Sequence, residues 1–156
     1  MINMNKKMKD ILKKNALNMR NDNKIPQFCD YILSKTKIIK NCIIFDEKND
    51  LEEKNINFEK ILKFCGDWTG YEVACNEIRI TDYISFKQEE FYMVSRILNY
   101  LKLGLSKMYC TRKFCIIISI DNNHVVLRFH TYRENEGLWI KEDLEGYENP
   151  IIYEVF

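Results

Sequence analysis

The sequence predicts an α+β fold: helices first, one long central helix, and a mostly antiparallel sheet that closes in a C-terminal β-meander. Three observations carry this. Phe91, Val94, Leu98, Leu101, Leu105 and Met108 recur at three- and four-residue steps, the period of one helix face. The last third changes period, with apolar runs at Phe114–Ile120 and His124–Tyr132 parted by Asp121-Asn122-Asn123, residue types that tolerate the positive φ of a hairpin turn. The regular alternation of strand and helix that a doubly wound sheet requires is missing.

In order along the chain, residues 4–20 place Met4, Met8, Ile11, Leu12 and Met19 at helical spacing with lysines between them, an amphipathic helix. Pro26 suits the first turn of a second helix, which sets Phe28, Tyr31 and Ile32 on one side. Ile38–Phe45 is apolar and β-branched and reads as one strand, bounded by the polar run 46–50. Phe58, Ile61, Leu62 and Cys65 form a short helix stopped by Gly66. Tyr71–Cys75 and Ile78–Ile80 read as strand. Ser85-Phe86-Lys87-Gln88 has the form of a capping box, so the central helix is expected to start there and run to Lys107 or Met108. In the return strand, Val125, Leu127 and Phe129 share one face, opposite to that of His124, Val126, Arg128, His130 and Tyr132. Ile151–Val155 is the closing strand.

Hydrophobic residues make up 46% and charged residues 30% of the 156, a globular balance at the size of one domain, so residues 1–156 are read as a single unit. No apolar run approaches the eighteen or so residues of a membrane span. The opening MINMNKKMKDILKK has no apolar stretch of secretion-signal length. Cys29, Cys42, Cys65, Cys75, Cys110 and Cys115 lie largely within apolar stretches and form no CxxC. They are expected to be buried, reduced thiols in a cytoplasmic protein. Net charge is +1 but lopsided: residues 1–40 carry +7 and residues 133–156 carry −5, an asymmetry that can mark a binding surface.

The chemistry-bearing residues point away from catalysis. No GxGxxG or GK[ST] loop occurs. His124 and His130, the two histidines, are about 20 Å apart along a strand and cannot share a metal; each reads as a surface residue. A hairpin turning at Asn122-Asn123 would set Cys115 opposite His130, the one pair that could support a small Cys/His enzyme, but a thiol inside FCIII is inert when buried. No catalytic residue, metal or cofactor is therefore expected. The lysines of the first helix could grip nucleic acid, yet arginine is sparse and the second half acidic, so a nucleic-acid partner is not expected.

What remains is an acidic–aromatic constellation: Tyr132, Glu134, Glu136, Trp139, Glu142, Asp143, Glu145, Tyr147 and Glu148. Rings that anchor and carboxylates that steer suit a protein partner; alternatively, Trp139 and Leu144 tuck under the sheet while the acids stay in water. Over Val125–Val155, the strand ending Leu127-Arg128-Phe129-His130, the Glu136-Gly137 before Trp139, and Glu142-Asp143-Leu144-Glu145-Gly146-Tyr147 before Pro150 resemble the C-terminal region of small bacterial immunity proteins. These protect cells from contact-dependent and other polymorphic toxins. The resemblance implies stoichiometric occlusion of a cognate, basic toxin domain such as a nuclease, bound in the cytoplasm without enzymatic activity.

Overall fold

The structure, a computed structural model, describes residues 1–15, 23–85, 87 and 90–156. Its elements are strand β1 (Ile2–Met4), helices α1 (Lys6–Asn15) and α2 (Lys24–Ser34), strands β2 (Thr36–Ile39) and β3 (Cys42–Phe45), helices α3 (Phe58–Cys65) and α4 (Trp68–Cys75), strand β4 (Ile78–Arg79), helix α5 (Met93–Met108), and strands β5 (Phe114–Asp121), β6 (His124–Thr131) and β7 (Ile151–Val155). The main sheet runs β1-β7-β5-β6-β4, and each of its pairings is antiparallel. This is the predicted α+β architecture.

The hairpin has the expected register. Asn122 takes a φ of 54° at the turn, and Cys115 faces His130 across β5 and β6. Strand alternation divides the core. Phe114, Ile116, Ile118, Val125, Leu127, Phe129 and Ile152 point toward α2 and α5, where Leu98 and Leu101 are buried. Cys115, Ile117, Ile151 and Tyr153 point to the other face, which the segment around Ile140 and Leu144 covers. A third cluster joins Ile39, Cys42 and Ile44 of the small hairpin to Tyr71 of α4 and to side chains of α3. At Gly104 of α5 a Cβ would collide with Leu33 of α2, so glycine there allows the two helices to approach closely.

Four elements depart from the sequence reading. Met4 lies in β1 rather than in the first helix, which begins after the buried Asn5; Asn5 Oδ1 accepts the Met8 N–H (3.0 Å) and the Ile151 N–H (3.2 Å), capping α1 and tying it to β7. Met19 lies outside the described residues. Ile38–Phe45 is a hairpin, not one strand. Lys40 turns it with a φ of 55°, held by its N–H donating to Glu53 (2.8 Å) and by Arg112 and Arg133 both donating to the Asn41 carbonyl.

Tyr71–Cys75 is helical despite its β-favouring residues. Gly66, at φ 88°, ends α3, and Asp67 accepts the Gly70 N–H (2.7 Å) to start α4 at once; local caps and tertiary contacts outweigh a strand propensity that is itself contextual. Helix α5 starts at Met93, about two turns later than the Ser85 signal. Lys87 and Glu90 close a turn on themselves, the Lys87 N–H donating to the Glu90 carboxylate and the Glu90 N–H to the Lys87 carbonyl. Gln88, whose side chain the capping box needs to reach back to Ser85, lies outside the described residues.

Candidate functional site

The buried polar groups come first, because they separate what builds the fold from what can meet a partner. Glu72 on α4 and Asn76 at its C-terminal cap stand one turn apart, both fully buried. Beyond its two-residue pairing with β4, the edge of β6 faces the edge of β3 without a strand ladder between them. The two side chains supply the missing bonds. Glu72 Oε1 accepts the Ile43 N–H (2.5 Å) and the Thr131 hydroxyl (2.9 Å), and Oε2 accepts the Thr131 N–H (2.8 Å) and Arg133 Nη1 (2.7 Å). Asn76 donates to the Ile43 and Phe129 carbonyls and accepts the Phe45 N–H. The carboxylate satisfies buried backbone donors that would otherwise be costly, with the Arg133 guanidinium as counter-charge. It is a joint between sheets. Its sequence signal is the four-residue spacing of Glu72 and Asn76, which a strand assignment of the segment hides.

His130, expected on the surface, is fully buried, whereas His124 is exposed. His130 Nδ1 bonds the Thr131 carbonyl (2.8 Å) and Nε2 has no partner among the described residues. Burial holds the imidazole below its ordinary pKa, and burial pushes the Cys115 thiol up to about 12. The two are cross-strand neighbours without a hydrogen bond, the reverse of an activated nucleophile. Burial likewise pushes Cys29 and Cys42 up to about 12. Cys65 and Cys75 are half-buried, and Cys110 is exposed, outside the expected burial. Among the described residues no three His, Cys, Asp or Glu side chains are placed to hold a metal ion, and no helix is long and apolar enough to cross a membrane.

The acidic–aromatic constellation divides in two. Tyr132, Glu134 and Glu136 line a groove at the end of the sheet with Arg112, Lys113 and Trp68. Glu136 is mostly buried there; it accepts the Thr69 N–H (2.8 Å) at the start of α4 and lies 3.8 Å from Arg133. Glu134 pairs loosely with Lys113 in solvent.

The other six residues belong to the segment across the outer sheet face. Ile140 and Leu144 pin it from below, the Lys141 N–H donates to the Tyr147 hydroxyl (3.0 Å), and Asp143 caps the 3-10 turn Leu144–Gly146 by accepting the Glu145 N–H (3.1 Å). Glu145 accepts the first N–H of α1, that of Lys6 (2.9 Å), and Lys7 Nζ donates to the Glu148 carbonyl. The basic start and acidic end of the chain thus meet, and part of each is spent on the other. Leu144 tucks in, but Trp139 does not: the residue is 46% exposed and its ring stacks on Arg128 (5.5 Å), which Glu77 holds through two bonds. The result is a held aromatic ring beside the exposed carboxylates of Glu142, Asp143, Glu145 and Glu148.

No curated protein and no solved structure matches the chain. A family model does, over residues 3–155, which is nearly the whole sequence. The chain belongs to the Uncharacterized protein PM0498 family.

Proposed function

We propose that the protein is a stoichiometric binding protein of the immunity class, which neutralises a cognate basic toxin domain in the cytoplasm by covering it with its outer sheet face. The observation that carries this reading is the segment 138–148. It has little regular secondary structure, yet buried Ile140 and Leu144 and the Tyr147 hydroxyl hold it in one shape, with Trp139 and four carboxylates turned to solvent. A pre-ordered ring amid charge gives an anchor at small entropic cost, and the carboxylates steer a basic partner. The resemblance of Val125–Val155 to immunity proteins points the same way. The buried, high-pKa Cys115 beside a buried His130, with no hydrogen bond between them among the described residues, gives the enzyme reading no support.

The test is binding kinetics against the purified product of the adjacent gene. Glu142→Lys with Asp143→Lys should slow association at least tenfold at low salt and flatten its salt dependence, whereas Trp139→Ala should mainly speed dissociation. An unchanged association rate discards this face. Failure to bind any adjacent gene product discards the immunity reading.

A further inference from the structure

We infer that a second surface, built around Arg112 and Lys113, takes an extended acidic–hydrophobic peptide segment of a partner protein. Two depressions meet at the end of the sheet. One, of about 770 Å³, is polar and includes Arg112, Trp68 and Asn41 in its wall. The other, of about 420 Å³, is mostly apolar and includes Leu138, Tyr153 and Val155. Lys113 and Tyr132 line both, so the two adjoin as a groove; its polar end sets Arg112, Lys113 and Arg133 beside Glu134 and Glu136, and its other end is apolar.

The cations are unequally engaged. Arg133 is spent on Glu72 and the Asn41 carbonyl. Lys113 has only a solvent-exposed contact of 3.6 Å with Glu134, worth little in water. Arg112 donates Nη1 to the Asn41 carbonyl (2.7 Å) and has no acidic partner among the described residues. That single bond orients the guanidinium and leaves the rest of its donor fork for a carboxylate, the group whose geometry it matches. The shallow, open form of the groove suits an extended chain rather than an enclosed small molecule. An acidic residue would meet Arg112 and Lys113, and an apolar neighbour would reach Tyr153 and Leu138. This inference does not rest on the immunity reading, since the residues it uses, Leu138 apart, lie outside segment 138–148.

The experiment uses the full chain carrying Trp139→Phe, which leaves Trp68 in the groove wall as the one fluorophore of its kind. The probe is a blocked peptide alternating Glu with Leu and Phe, titrated at low salt, with hexaglutamate, a Lys/Leu/Phe peptide and an eight-residue oligothymidine as comparisons. The expected result is a saturable change in Trp68 emission with the Glu/Leu/Phe peptide alone. Lys113→Glu, an exposed change that removes only the loose contact with Glu134, should weaken it at least tenfold; Arg112→Gln should do the same if circular dichroism shows the fold retained. Equal binding of hexaglutamate would overturn the apolar half of the proposal, and tighter binding of the oligonucleotide would overturn the choice of a peptide. No saturation at millimolar peptide, or full affinity in Lys113→Glu, would overturn it altogether.

Discussion

Removing Glu72 tests whether a helix side chain does the work of a strand ladder between two sheets. In Glu72→Ala the buried N–H groups of Ile43 and Thr131 lose their acceptor, each at about 1–3 kcal/mol. Arg133, with a side chain only 11% exposed, also loses its counter-charge, and breaking one side of a buried pair costs about 3–5 kcal/mol. These losses overlap, because Arg133 keeps the Asn41 and Thr131 carbonyls. A net loss of about 4 kcal/mol is expected, enough to leave many domains barely folded. Glu72→Gln keeps the shape but turns an amide N–H₂ against donors, and should lose about 2 kcal/mol. The assay is urea denaturation, where the midpoint should fall at an unchanged slope. Adding Arg133→Met to Glu72→Ala should cost less than the two single losses summed, by about 1–3 kcal/mol. A loss under about 1 kcal/mol in Glu72→Ala, or strict additivity with Arg133→Met, would refute the joint.

Gly104→Ala gains about 1 kcal/mol of helix propensity but drives a Cβ into Leu33, so overpacking should win and lower stability by about 1 kcal/mol; Gly104→Ala with Leu33→Ala should lose less than the two single losses summed, and additivity would show the helices do not meet there. The unfolded chain protonates His130 before the folded one does, because burial lowers the folded pKa. Stability should therefore fall as pH drops below about 6.5, by at most about 1.4 kcal/mol per unit from this group, and His130→Gln should flatten that slope between pH 6.5 and 5.5. Thiol titration with an aromatic disulfide should modify Cys110 first in the native protein, while Cys29, Cys42 and Cys115 react only on unfolding; early reaction of Cys115 would contradict its burial.

Periodicity alone determined the elements whose burial is simple. The three- and four-residue steps along α5 place Leu98 and Leu101 in the core, and alternation along β6 buries Val125, Leu127 and Phe129, because a one-sided element must show its buried face in its sequence. The turn at Asn122 likewise set the β5–β6 register, including Cys115 opposite His130. Tertiary structure decided the rest. The segment Tyr71–Cys75 has β-favouring residues, and only the cap at Asp67 and the bonds of Glu72 to two distant strands make it α4. Asn41 is a lone turn-favouring residue amid an apolar run; Glu53, Arg112 and Arg133 hold the turn from elsewhere in the chain.

The candidate surface shows the same division. Composition revealed an acidic, aromatic C-terminal region, but not that Glu136 caps a helix, that Glu145 caps α1, or that Trp139 stays in solvent on Arg128. A carboxylate looks the same in sequence whether it meets water, an orphan N–H or a partner. Which one it meets depends on residues up to 139 positions away, a separation that no local pattern records.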